Sequence, residues 1–316
     1  MKHLFIVNPT AGGKDRTGEV KARVVDAFTR HQGEYEIYVT KAPMDAADKI
    51  RHEAESGEHL RVYACGGDGT FNECACGAAL LPNVAICPFP TGTGNDFCRM
   101  FGDEQSMYKN LDALLDGWET PIDLIDCNGR YSTNICSVGI DARIGTSVHK
   151  YSKIPIIGGS AGYVVSAIVN MFQGIARNMR IKAGNFYTEG MHSLVCACNG
   201  RYYGGGFNPV PYAMPNDGIM DILVIKKVSI FTFARLIYKY SKGRADEFRG
   251  YVTHLRTDEI EIEFDDDNVV NLDGEAIFTK KVHMKLIPKA LNLIVPSGMK
   301  FFDSSVSEKF MQKAAN

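Results

Sequence analysis

Three times in the first hundred residues a short apolar run ends in a cluster of glycines and is followed by an amphipathic stretch. Residues 4–7 lead into Asn8-Pro9-Thr10-Ala11-Gly12-Gly13-Lys14, residues 60–65 into Gly66-Gly67-Asp68-Gly69-Thr70, and residues 84–87 into Pro90-Thr91-Gly92-Thr93-Gly94-Asn95-Asp96-Phe97. Strand periodicity alternating with helix periodicity is the pattern of β-α-β units around a parallel sheet, and open sheets of that kind bind ligands beyond the carboxyl ends of their strands. Val20, Val24, Ala27, Phe28 and His31 mark one face of the first helix, residues 35–40 predict a second strand, and residues 46–55 a second helix. Thr70 and Glu73 have the capping-box spacing that opens a helix running to about residue 80.

After Pro121 the pattern changes to short alternating strands joined by turns, at 122–127, 131–138, 193–197, 219–225, 259–264, 269–272, 282–287 and 291–295. These predict an antiparallel sandwich or partly closed barrel, interrupted by helices over 163–175 and 231–242. The expected fold is α/β plus all-β: a doubly wound α/β nucleotide-binding domain over 1–127 and an antiparallel β-sandwich domain over 128–295, with the tail 296–316 packing back on the first. A chain of 316 residues suits two modest cores better than one large one.

Lys plus Arg number 35 against 37 Asp plus Glu, a net charge of -2, so no basic field is present to carry nucleic-acid binding. Nine scattered cysteines, an odd number, fit reduced thiols rather than a disulfide framework. The pairs Cys74/Cys76 and Cys196/Cys198 lack the usual zinc-ligand spacing; the second reads as small buried hydrophobes on one strand face. Residues 1–7 have no cationic stretch before the apolar run, so no signal peptide is expected and the location predicted is cytoplasmic. Residues 154–176 are uncharged and long enough to span a bilayer. Gly158, Gly159 and Gly162 weaken their start, and Ser166, Asn170, Gln173 and Arg177 form a polar stripe, which favours a half-buried helix.

The glycine loops carry the chemistry. Glycines bring backbone amides against an anion and the following helix adds its positive end, so Gly66 to Thr70 reads as a phosphate cradle. Asp68 would repel a phosphate unless a divalent cation lay between them. The loop from Asn8 offers another anion site, with Lys14 to reach a phosphate, but Asn8 and Asp15 stand where a Walker A loop has Gly and Ser or Thr. Neither loop completes G-x-G-x-x-G, which disfavours a dinucleotide fingerprint. In the third loop Thr93 and Asn95 can hydrogen-bond, Asp96 adds a carboxylate, and Arg99 can orient it. A plain Asx-type helix start explains Asn95 and Asp96, but not the recurrence of such loops on successive strands.

NPTAGGK at 8–14, GGDGTFNE at 66–73 and GTGNDF at 92–97, in this order and spacing, resemble the diacylglycerol kinase catalytic-domain family in its soluble bacterial lipid kinase branch. Asp123 in PIDLID, NDGIMD at 216–221 and LDGEAI at 272–277 extend the resemblance over nearly the whole chain. GGDGT is shared with NAD kinases and more loosely with phosphofructokinases; GTGNDF and the later DGE separate the lipid kinases. The resemblance implies an ATP site in the cleft between an NAD kinase-like α/β domain and a β-sandwich, and magnesium-dependent transfer to a lipid hydroxyl, diacylglycerol to phosphatidic acid being the first choice. It implies nucleotide-binding roles for Asn8, Pro9, Thr10, Ala11, Gly12, Thr40, Gly66, Gly67, Asp68, Gly69, Thr70, Phe71, Asn72 and Thr93. Glu275 becomes the catalytic base, with Asp68 serving catalysis through magnesium. Asp217 becomes the ligand of a structural magnesium ion, joined by the carbonyls of Met214 and Ile219, and Asn95, Asp96, Arg99 and Asp123 a supporting network. Without it, Asp273-Gly274 and Asp217-Gly218 read first as plain turns.

The implied partners are ATP, a membrane lipid and a peripheral membrane surface; a homodimer is left open. Lys239, Lys242, Arg244, Arg249 and Arg256 form a basic stretch that reads as a solvated face or as a contact for anionic headgroups. The alternatives are an NAD kinase-like enzyme with a soluble substrate, favoured by GGDGT alone, and a nucleotide- or lipid-binding regulator without catalysis.

Overall fold

The computed structural model describes residues 1–91, 95–140, 142–143 and 175–303. The helix expected over 163–175 and the uncharged stretch 154–176, except for Ile175 and Ala176, lie outside these residues, as do Thr93 and the tail from 304 onward. The chain forms two compact units, one of residues 1–124, 214–217 and 287–316, the other of 125–213 and 218–286.

The first unit holds a parallel sheet. Strands β1 (Lys2–Val7), β2 (Glu34–Val39), β3 (Leu60–Gly66) and β4 (Val84–Pro90) pair in the order β2-β1-β3-β4. β3 and β4 are buried along their whole length, which is why they read as continuous apolar runs. Helices α1 (Thr17–Ala27), α2 (Asp45–Ala54) and α3 (Asp68–Ala78) alternate with them. α2 and α3 approach closely enough that a Cβ on Gly77 would stand 2.7 Å from the Ala47 Cα. Short helices α4 (Asp96–Arg99) and α5 (Leu111–Leu115) follow β4. His3, buried on β1, bonds the Tyr63 hydroxyl through Nδ1 at 2.9 Å, and Phe5 stacks on Tyr63 with centroids 4.4 Å apart. Burial holds the His3 imidazole down at about 4, with the Arg61 charge adding to the effect.

The capping-box expectation fails. Gly67 caps α3 in extended conformation and the helix starts at Asp68, so Thr70 already lies in its first turn. A Cβ on Gly66 would sit 2.2 Å from the Thr70 hydroxyl, and the absent side chain is what lets Thr70 occupy that place.

β5 (Trp118–Cys127) and β6 (Arg130–Ser132) are followed in the second unit by β7 (Ile135–Gly139), β8 (Arg177–Ala183), β9 (Phe186–Cys198), β10 (Met220–Lys226), β11 (Val252–Thr257), β12 (Glu259–Leu272) and β13 (Glu275–Val295). β9 pairs with β8 through its first half and β7 through its second, and β12 uses the same two partners. Ile260, Ile262, Val282, Met284, Ile222 and Val224 alternate with outward residues and meet in one core. Leu194, Cys196, Cys198, Leu223 and Ile225 face the other way, under Leu236 and Tyr240 of α6 (Ile230–Tyr240). Cys196 and Cys198 are therefore buried on one strand face, as expected.

The expected strands 259–264 and 269–272 are one strand, β12, whose register shifts between Glu263 and Asn268. Conversely 131–138 is two strands, because Asp273 ties down the turn between β6 and β7. Runs 282–287 and 291–295 are both β13, and its end pairs in parallel with β4 at Asn292↔Ala85 and Leu293↔Ile86. The return to the first unit thus starts at 287 rather than 296. Beyond it, Ser297 N donates to Ala113 O at 2.8 Å and Phe301 meets the Phe101 ring edge-on. Strands β8 and β11 have no counterpart in the sequence reading.

Candidate active site

At the carboxyl ends of β1, β2 and β3, Asn8, Pro9, Thr10, Thr40 and Thr70 line one pocket of about 290 Å³, with Lys41, Ala42, Pro43 and Glu73. Asn8 is its organising residue. Its amide nitrogen donates to Thr70 Oγ1 at 3.2 Å, and its Oδ1 accepts from the Thr10 backbone and hydroxyl at 3.0 and 2.9 Å, tying the first loop to the second. Thr40 N donates to Val7 O at 2.9 Å and Thr91 N to Gly66 O at 3.2 Å, so all four strand ends are pinned together.

Gly67 and Gly69 expose their backbones: a Cβ at either would meet nothing within 4 Å. Backbone at the start of α3 with open space beside Gly67 and Gly69 suits an oxyanion. Gly12 and Gly13 both have positive φ, at 68° and 73°, which turns the first loop in a way that other residues resist. Asp68 Oδ1 accepts from Phe97 N at 3.3 Å, joining the second loop to the third. Asn95 precedes α4 in left-handed conformation, and Asp96, nearly buried, pairs with Arg99 Nε at 3.0 Å. Phe71 and Asn72 are buried within α3, and Phe71 packs on Phe97 with centroids 4.4 Å apart. Burial pushes the thiols of Cys65, Cys74, Cys87 and Cys98 well above their usual range, which leaves no reactive thiolate under the loops.

Asp123 is fully buried. Its backbone N–H donates to Pro215 O at 2.7 Å and its Oδ1 accepts from Lys289 N at 2.8 Å, which fixes residues 214–217 beside β5. Asp217 lies on that short segment, before Gly218 at φ 77°. A carboxylate with main-chain carbonyls is an all-oxygen donor set, which fits magnesium or calcium and not zinc.

In the second unit Glu275 is the first residue of β13, exposed, just after the turn Asp273-Gly274. That turn is a two-residue hairpin with φ 48° and 103°, closed by the Leu272↔Glu275 pair. Sequence reasoning treated Asp273 as turn chemistry alone. Its carboxylate accepts from the amides of Thr133, Asn134 and Ile135 at 2.7, 3.2 and 2.9 Å and from the Thr133 hydroxyl at 3.1 Å. Burial still raises its pKa above the ordinary aspartate value. Asn271 Oδ1 accepts from Gly274 N at 2.7 Å and completes the support of the turn. Also unforeseen was His254, whose Nε2 meets the buried Asp221 carboxylate at 2.8 Å.

Residues 2–127 match the diacylglycerol kinase catalytic domain, and residues 134–295 match the YegS C-terminal NAD kinase beta sandwich-like domain. The chain belongs to the diacylglycerol kinase catalytic-domain family. Within this kinase family it is 29% identical over 305 residues to a Pectobacterium atrosepticum protein named "Probable lipid kinase YegS-like", covering 93% of this chain and 95% of that one. It is 28% identical over 267 residues to "Probable lipid kinase YegS" of Escherichia coli O9:H4, covering 82% and 86%. A Bacillus anthracis structure provisionally assigned as a diacylglycerol kinase superposes with a TM-score of 0.75 at 27% identity, over 94% of this chain and 98% of that one. The family match makes the chain an enzyme, a kinase, with an α/β domain and an NAD kinase-like sandwich. Among the described residues no helix is long and apolar enough to cross a membrane.

Proposed function

We propose that this kinase transfers the γ-phosphate of ATP, with magnesium, to the hydroxyl of a membrane lipid, diacylglycerol being the first acceptor and phosphatidic acid the product. The observation that carries the reading is the pocket at the ends of β1 to β3, where Asn8 joins the first glycine loop to the second. In this reading residues Asn8 to Gly12, Thr40, Gly66 to Asn72 and Thr93 hold the nucleotide. Asp68 receives the magnesium that neutralises the triphosphate, and Asp217 with the carbonyls of Met214 and Ile219 holds a structural ion. Asn95, Asp96, Arg99 and Asp123 support the site from behind.

An alkanol is a poor nucleophile, and a carboxylate within hydrogen-bond reach of it is the simplest base. Glu275 takes that role: it is exposed, and its turn is held rigidly by Asp273 and Asn271, so the carboxylate is presented rather than loose. The enzyme then works in the cytoplasm and meets its acceptor at the bilayer surface.

The test is transfer of radiolabelled γ-phosphate from ATP to a panel of lipids in mixed micelles, with NAD in a parallel tube. Label in diacylglycerol is expected, with none from Glu275→Ala although that variant still binds ATP. Label in NAD alone would overturn the reading, and wild-type turnover by Glu275→Ala would remove the base assignment.

A further inference from the structure

β10 ends in two exposed cations, Lys226 and Lys227, and both neighbouring strands reach the same sheet end. Lys226 N donates to Tyr251 O at 2.9 Å and Lys227 N to Met191 O at 2.8 Å. α6 starts at Ile230. Its inner face, Phe233, Leu236 and Tyr240, is buried, yet its outer face is also largely apolar, carrying Ile230, Phe231, Ala234, Arg235 and Tyr238. Phe231 is 86% exposed and Tyr238 64%, and Met191 and Tyr251 are exposed on the flanking strands. Exposed apolar side chains gathered along the outer face of α6, beside the end of the sheet, mark an interaction surface.

Its charge identifies the partner. From Lys226 to Gly243 the chain has five cations and no acid. Lys239 pairs with Glu247 at 2.9 Å, while Lys226, Lys227, Arg235 and Lys242 have no ion pair among the described residues. Asp221 is buried against His254 and Arg256, and Glu247 is shared by Lys239 and Arg244. Within the expected basic stretch from 238 to 256, Lys239, Arg244 and Arg256 are ion-paired, and Lys226, Lys227 and Arg235 carry the unopposed charge on to the start of α6.

We propose that this face docks on an anionic lipid bilayer. Ile230 and Phe231 enter the boundary of the acyl chains, Tyr238 and Tyr251 lie at headgroup depth, and the four cations meet lipid phosphates. A second copy of this face would bring like charges together across a twofold axis, which argues against self-association here. The proposal rests on the lipid-acceptor reading above and names the surface that reading requires.

Cosedimentation with vesicles of phosphatidylcholine, with and without phosphatidylglycerol, tests it on the full chain. Wild type is expected to bind the anionic vesicles and to be released by high salt. Ile230→Ser/Phe231→Ser and Lys226→Glu/Lys227→Glu should each weaken binding about tenfold or more, with unchanged melting profiles because all four side chains are exposed. Transfer to a short-chain diacylglycerol dissolved as monomer should stay at the wild-type rate in both variants. Equal vesicle binding by wild type and variants overturns the proposal, as does a dimer in light scattering that Phe231→Ser dissociates. Transfer to the monomeric acceptor without vesicle binding refutes the docking face alone; vesicle binding without transfer to any lipid refutes the acceptor reading alone.

Discussion

Asp273 and Glu275 stand one glycine apart, and substitution of the two carboxylates should fail in different ways. Asp273→Ala removes an acceptor that serves three backbone amides and one hydroxyl, at 2.7 to 3.2 Å. A hydrogen bond to a charged acceptor contributes about 1.5–3 kcal/mol, and an orphaned buried donor costs about 1–3 kcal/mol. The bonds share one group, so they do not add in full. About 1 kcal/mol for each stranded amide sets a floor near 3 kcal/mol, and partial additivity a ceiling near 5 kcal/mol. For a unit of this size each kcal/mol is worth about 2–4 °C, so Asp273→Ala should melt roughly 6–20 °C below wild type. Asp273→Asn, which keeps one oxygen but turns a donor toward the amides, should fall between them. Glu275→Gln, at an exposed strand position, should stay within about 0.5 kcal/mol of wild type while losing transfer. Circular dichroism melts, read beside radiolabel transfer for each variant, separate the cases. An Asp273→Ala protein melting within about 2 °C of wild type would refute the reasoning.

Acid should destabilise the first unit through His3. Its folded pKa is about 4 against 6.5 ordinarily, so within that window the unfolded chain binds a proton that the folded chain refuses. The contribution is complete above pH 6.5 and is lost as pH falls toward 4, amounting to about 3 kcal/mol; melts at pH 7 and 4.5 should show this slope flattened in His3→Phe. Gly77→Ala drives a methyl into the Ala47 backbone and should cost about 1–3 kcal/mol, whereas Gly69→Ala meets open space and should keep its melting point while losing about tenfold in nucleotide affinity by titration calorimetry. Magnesium should raise the melting temperature of wild type, and Asp217→Ala should both lower that temperature and abolish the shift.

Most of the parallel sheet was legible because β1, β3 and β4 are buried on both faces and run into glycine loops, so that residues 60–66 announce strand and turn in one run. Much of the second unit was legible through alternation, as at Ile260, Ile262 and Phe264. β8 was not: Met179, Ile181 and Ala183 alternate with Asn178, Arg180 and Lys182, and the charged half obscures the apolar half until a partner strand covers it. Strand joins were missed where a register shift, not a turn, interrupts the pattern, as between Glu263 and Asn268. Of the site, the pocket residues followed from their place after strands. Asp273 and His254 did not, because their partners lie far away in sequence, 133–135 for Asp273 and 221 for His254.

The first unit is not a continuous piece of chain: it takes residues 1–124, then 214–217, then everything from 287 onward. A ribosome that has released residue 124 must still make residues 125 to 286 before the strand that borders β4 emerges, roughly ten to thirty seconds at 5–20 residues per second. Throughout that interval one edge of β4, buried in the finished protein, waits without its neighbour. Domain-by-domain folding from the N-terminus is thus closed to this chain, and a fragment ending near residue 127 should be an aggregation-prone half-sheet rather than a portable nucleotide-binding module.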